Sequence, residues 1–171
     1  LVPVPRDKEF EGYLFFVTKN GLCKRVAAEE FVSIRKNGKI AITLREGDEL
    51  KAVKLTSGND EIILGAANGK AVRFPEETVR PSGRTASGVK AMNVDGSEIV
   101  DFCTDKDGDN ILVVSRNGYG KKTPVGEYRM TSRGAKGVKT INIKEKNGPL
   151  VSLKAVRGDE DCLLMTSDGI V

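Results

Sequence analysis

Apolar residues occur along this chain in short runs, each closed by a turn and followed by a more polar run. "LFFVTKNGLCKRV" (14–26), "IILGAANGKAVRF" (62–74), "ILVVSRNGYGKKT" (111–123) and "LLMTSDGIV" (163–171) share this form. In each, an apolar strand leads into Asn-Gly or Asp-Gly, and the strand after the turn is basic in the first three. Asn-Gly between β-type runs predicts a two-residue type I′ hairpin, whose central residues both need positive φ. The turn glycines Gly21, Gly69, Gly118 and Gly169 lie 48, 49 and 51 residues apart.

Two further elements keep step with the hairpins. One is "NGKIAITL" (37–44), "SGVKAMNV" (87–94) and "KGVKTINI" (136–143), with Gly38, Gly88 and Gly137 spaced by 50 and 49 residues. The other is "DELKAVKL" (48–55), "SEIVDFCT" (97–104) and "PLVSLKAV" (149–156). Gly, Asp, Asn and Ser clusters such as "TSGND" and "TDKDGDN" separate them and read as loops. "FPEETVRP" has room for one turn of helix between Pro75 and Pro81, and no longer helical period appears.

Each unit of roughly 49 residues therefore holds about four short strands, the pattern of a propeller-like array whose blades bury their faces against neighbours. An all-β sandwich would have to acquire this period by accident in three elements at once. The repeats run approximately over 8–56, 57–105 and 106–157, with a partial repeat at 158–171, all in a single domain spanning 1–171. Leu1 to Pro5 read as the last strand of a preceding unit. The chain, opening on Leu1 and stopping just past a turn, reads as an excised fragment.

Composition narrows the chemistry. The chain is 39% hydrophobic and 30% charged, as soluble globular proteins are, with neither a membrane-length apolar stretch nor a signal-peptide pattern. It has no histidine, which removes mixed Cys/His zinc clusters, the commonest general base and every Ser-His or Cys-His nucleophile pair. Cys23, Cys103 and Cys162 sit in apolar segments and read as buried, reduced thiols of a cytoplasmic protein. Asp107 and Asp109 in "DKDGDN" form an acidic loop without the full spacing of a calcium site. Catalysis by this chain alone is not expected, and neither is a metal site or cofactor.

The net charge of +4 names no partner, but its distribution is uneven. Segments 19–39, 67–90 and 116–139 hold 18 of the 28 Lys and Arg but only 5 of the 24 Asp and Glu. Equivalent segments of an array lie at equivalent places, so these would form one basic rim able to follow a polyanion such as duplex DNA. Glycine-rich turns such as "RPSGRTASG" and "MTSRGAKG" would let backbone N–H groups approach phosphates. No base-reading helix is present, so contact would fall on the backbone and on DNA deformability. Charge alone leaves two other readings open: an edge kept from pairing with other strands, and a protein-interaction scaffold whose rim meets acidic partners.

The stretches "LTSGNDEIILGAANGKAVRF", "VRPSGRTASGVKAM", "NGYGKKTPVGEYRMTSRGAKGVKTINI" and "EKNGPLVSLKAV" resemble the carboxy-terminal domains of DNA gyrase A subunits, and the topoisomerase IV counterpart is similar as a paralogue. The resemblance runs over nearly the whole chain. It implies a six-bladed β-pinwheel of four-stranded blades that exchange strands with their neighbours. It also implies a non-catalytic module of a bacterial cytoplasmic, nucleoid-associated enzyme, which bends and wraps double-stranded DNA on its rim to support negative supercoiling. The partners implied are the remainder of gyrase A together with gyrase B, in an A2B2 assembly. The catalytic tyrosine, the magnesium ions and the ATPase would lie elsewhere. None of Tyr13, Tyr119 and Tyr128 stands in a motif matching the strand-breaking site. The family's first-blade heptad, Gln-Arg-Arg-Gly-Gly-x-Gly, is absent; "SRGAKG" (132–137) looks like a later-blade equivalent.

Carried onto matching turns, the resemblance makes the DNA-binding candidates Lys24 and Arg25 after the first turn, Lys70 and Arg73 after the second, and Lys121 and Lys122 after the third. Arg35, Lys36 and Lys39 belong to the second element of the first repeat, and Arg80, Arg84 and Lys90 to that of the next. Arg129, Arg133, Lys136 and Lys139 fill that place in the third. Tyr119 would either pack on a sugar or cover its own hairpin.

Overall fold

The computed structural model describes residues 12–31, 40–141 and 143–157. In chain order the strands are β1 (Tyr13–Thr18), β2 (Leu22–Ala27), β3 (Leu50–Thr56), β4 (Glu61–Ala66), β5 (Lys70–Pro75) and β6 (Val89–Lys90). They continue as β7 (Ile99–Thr104), β8 (Asn110–Ser115), β9 (Gly120–Pro124), β10 (Val138–Lys139) and β11 (Leu150–Val156). Helix is confined, among the described residues, to 3-10 turns at Ala28–Phe31, Glu76–Thr78 and Val125–Glu127, each directly after a hairpin. The turn allowed in "FPEETVRP" is one of these.

Three antiparallel sheets result, ordered β3-β1-β2-β6, β10-β5-β4-β7 and β11-β8-β9. The fold is all-β and propeller-like, and the outermost strand of each four-stranded sheet is borrowed. β6 comes from the second repeat yet pairs with β2 of the first, Leu22 opposite Lys90; β10 of the third pairs with β5, Lys70 opposite Lys139. The second element is thus strand for only two residues. Beyond β6, Ala91 and Met92 leave the ladder and both donate to the Gly21 carbonyl (2.7 and 3.2 Å). Thr140 and Ile141 do the same to Gly69 (2.8 and 3.3 Å).

The hairpin turns differ from the two-residue type expected. β1 pairs with β2 through Val17 and Cys23, and Gly21 N–H donates to Thr18 O, which makes a three-residue loop, Lys19 to Gly21. Gly21 is left-handed (φ +93°), whereas Asn20 is not, since Asp95 is the one non-glycine residue with positive φ among those described. The same geometry recurs at Gly69 and Gly118. It is a type I turn closed by a left-handed glycine, so asparagine needs no unusual backbone and one glycine suffices.

The core lies between the sheets. Central strands such as β1 and β4 read as continuous apolar runs because both of their faces are covered. Phe15, Val17 and Cys23 of the first sheet pack with Ile62, Leu64 and Phe102 of the second, the two phenylalanine rings 5.5 Å apart. Ile63, Ala71 and Cys103 pack in turn with Val113, Leu150 and Leu153 of the third. Burial pushes the Cys23 and Cys103 thiols up to about 12, so both remain protonated and unreactive at neutral pH. Cys162, the fourth hairpin and Leu1 to Pro5 lie outside the described residues.

Candidate nucleic-acid interface

The first two hairpins direct their strand-two cations inward. Arg25 is buried, and its Nε donates to Val79 O (2.5 Å) and one terminal nitrogen to Gly58 O (3.2 Å). The same guanidinium lies 3.5 Å from the Glu76 carboxylate and 4.4 Å from the centre of the Tyr13 ring. Glu76, fully buried, also accepts from the Thr56 hydroxyl and from the Gly58 and Asp60 N–H groups (2.7–2.8 Å). Four residues after the second turn glycine, Arg73 repeats the arrangement. It donates to Val125 O and Tyr128 O (3.2 and 2.9 Å) and forks onto Glu61 (2.9 and 2.5 Å). Each arginine ties its hairpin to the 3-10 turn of the next repeat.

Lys24, with 1% of its surface exposed, donates to Gly83 O and Arg84 O (3.2 and 2.7 Å) and lies 5.2 Å from the centre of the Phe16 ring. Burial, countered in part by Glu30 and reinforced by Arg84, lowers its amine to a pKa of about 8. Lys24 also lines a cavity of about 230 Å³ between β2, β6 and the 79–88 loop.

Among the described residues no following repeat covers the third hairpin. Lys121 and Lys122 are exposed, and Lys146 sits 5.0 Å from the centre of the Tyr119 ring, which is itself exposed. Among the second-element candidates, Arg80, Lys90, Arg129, Lys136 and Lys139 are exposed and Arg84 and Arg133 half-buried. Lys136 makes a loose pair with Asp95 (3.7 Å). Arg84 donates to Ile40 O (3.0 Å), and Arg133, the equivalent residue one repeat on, donates to Lys90 O (2.7 Å). These arginines brace successive loops, as do backbone bonds from Gly134 to Ala91 O (2.8 Å) and from Asn93 to Ala135 O (2.9 Å). Lys70, half-buried, stands directly across the ladder from Lys139. Arg35, Lys36 and Lys39 lie outside the described residues.

The candidates thus separate into an outward-facing set, a bracing set and an inward-facing set. Sequence reasoning did not single out the acceptors that hold the inward set, Glu61, Glu76 and the 3-10 carbonyls, because most of them lie in neighbouring repeats. Nor did it single out Arg45 and Ser82, which line the cavity beside Lys24.

Residues 12–57, 60–102 and 109–157 match the family described as DNA gyrase C-terminal domain, beta-propeller. The chain is 45% identical to the DNA gyrase A subunit of Ureaplasma parvum over 172 residues, covering all of this chain and 20% of that protein. It is 48% identical to the DNA gyrase A subunit of Staphylococcus aureus over 170 residues, covering 97% of this chain and 19% of that protein. The chain therefore spans about a fifth of the length of these relatives. Among solved structures, the C-terminal domain of a DNA topoisomerase IV superposes with a TM-score of 0.79 at 31% identity, over 88% of this chain and 48% of that one. A DNA gyrase A C-terminal domain superposes at 0.77 with 28% identity, over 91% and 53%. No helix among the described residues is long and apolar enough to cross a membrane.

Proposed function

The chain belongs to the DNA gyrase C-terminal domain family, and from that premise and the placement of its cations we propose that it binds duplex DNA along one rim and bends it, contributing no chemistry itself. The observation that carries this reading is the Lys70–Lys139 pair. Two lysines directly opposite each other in a ladder repel, and an anion bound by both turns that repulsion into attraction. Lys90, Lys121, Lys122, Arg129 and Lys136 are exposed as well and add to the positive charge open to an anion. Contact falls on phosphates, so sequence preference is weak. Arg25 and Arg73 hold the sheets that present these groups. In the intact enzyme the module works beside the remainder of gyrase A and the gyrase B partner, in the bacterial cytoplasm, where its wrap supports negative supercoiling.

The test is binding to unrelated short duplexes across a salt series. Affinity falls log–log linearly with salt and depends little on sequence. Replacing Lys121 and Lys122 together by Ala weakens every duplex alike and lowers the slope by about 2. Absence of duplex binding at low salt, or a variant whose loss is confined to one sequence, would overturn the reading.

A further inference from the structure

The cavity beside Lys24 is assembled from three separate chain segments, and its chemistry is one-sided. Lys24 comes from β2, Arg45 from the loop before β3, and Arg80, Ser82 and Ser87 from the loop before β6. Among the described residues no carboxylate lines it, and Val79, Ala86 and Val89 supply an apolar wall. Arg45 and Arg80 are exposed at its mouth and Lys24 is buried in its wall. The Ser82 Oγ is buried and has no hydrogen-bond partner among the described residues. A buried hydroxyl left in that state costs about 1–3 kcal/mol, so an acceptor or donor from outside is favoured there.

The next interface of the array serves as an internal control. Counted from the turn and element glycines, the positions of Lys24, Arg45, Ser82 and Ser87 are filled one repeat on by Val72, Asp95, Thr131 and Lys136. There the buried cation is gone and a carboxylate stands where Arg45 stood. Asp95 pairs with Lys136, and the Thr131 hydroxyl donates to Arg73 O (3.3 Å). The same fold position is thus internally satisfied at one interface and left positive and unsatisfied at the other. Fold maintenance alone does not call for that difference.

We propose that the Lys24–Arg45–Arg80 cavity is a binding pocket for a single phosphoryl group. Its three cations supply charge and N–H donors, the Ser82 hydroxyl donates to a phosphoryl oxygen, and the Val79–Ala86–Val89 wall lies beside the carbon of an esterified phosphate. The phosphoryl group belongs either to a backbone phosphate of duplex DNA, in which case the inference rests on the proposed function and the pocket fixes where the duplex starts on the rim, or to a free phosphate.

Two titrations followed by NMR on the chain test this. Inorganic phosphate at constant ionic strength produces saturable shifts at the Ser82, Ser87 and Gly88 amides and raises the Lys24 pKa from about 8. Lys24→Met and Arg45→Glu each reduce phosphate affinity at least tenfold, while Lys106→Ala, at an exposed turn away from the cavity, leaves it unchanged. Arg45 is on an exposed loop, so its variant carries the test if Lys24→Met does not fold. A short duplex moving the same amides, with a salt slope lower by about 1 in Arg45→Glu, assigns the phosphoryl group to DNA. Phosphate shifts with no duplex effect assign it to a free phosphate. Shifts that do not saturate, or that survive both substitutions, overturn the pocket. A chain that binds no duplex yet binds phosphate retires the proposed function and leaves the pocket standing.

Discussion

The first two hairpins and the third carry nearly the same sequence motif and differ in what covers them among the described residues. Behind Gly21 and Gly69 the next repeat closes in so far that a Cβ would lie 2.4 Å from Met92 O and 2.6 Å from Ile141 O. At Gly118 no described residue lies within 4 Å of that position, and the segment equivalent to Met92 and Ile141 falls outside the described residues. Four residues further on, Arg25 and Arg73 reach carbonyls of the following repeat, while Lys122 is exposed. A cation after a turn glycine is therefore structural where a neighbour's backbone covers it. Repetition of the motif locates the basic segments; packing decides which of their charges are held inside.

Replacing Arg25 by Ala strands the buried Glu76 carboxylate without its cation and lowers stability by about 3–5 kcal/mol. Lys122→Ala stays within about 0.5 kcal/mol of the parent. Urea unfolding of the two variants measures the contrast, and equal midpoints would erase it. Gly21→Ala combines left-handed strain of about 1–2 kcal/mol with overpacking of about 1–3 kcal/mol. Gly118→Ala carries only the strain of about 1–2 kcal/mol, so thermal unfolding places Gly21→Ala clearly lower. Arg133→Ala removes one half-exposed brace, costs about 1 kcal/mol, and speeds hydrogen exchange at Gly134 and Asn93 while leaving β8 and β9 protected.

A separate effect is in pH. The Lys24 pKa is about 8 in the folded chain and about 10.5 when unfolded, so between those values the unfolded chain binds more protons. This lysine's contribution to stability therefore rises as pH climbs from 8 to 10.5. Subtracting the urea midpoints of Lys24→Met from those of the parent across that window isolates a rising difference. A falling difference would mean that the ammonium form is the one the fold prefers.

Much of the architecture was legible in the sequence because the spacing of turn glycines and apolar runs is a local signal. The third elements became β3, β7 and β11. The second elements were harder to read, since "SGVKAMNV" looks like one strand but pairs for two residues before bending under Gly21. Turn type was hidden by chemistry, as Asn-Gly suits both a two-residue and a three-residue loop. The candidate interface was legible as charge-rich segments and not as individual contacts. Lys24, Arg25 and Arg73 look like surface residues until the carbonyls of Gly83, Val79 and Tyr128 arrive from 54 to 59 positions later. A sequence clue existed in Glu76, whose charge has no counterpart at Val125 one repeat on.

The borrowed strands have a consequence for biosynthesis. Leu22 waits for Lys90, and Lys70 for Lys139, so a sheet's last ladder bonds need nearly seventy further residues to be made. At about 5–20 residues per second, a ribosome leaves the β2 edge unpaired for several seconds in every round of translation. The domain is closed like knitting, each row held only once the next has been worked. A stalled nascent chain ending after β5 should expose β2 as a sticky edge, and one extended past Met92 should not.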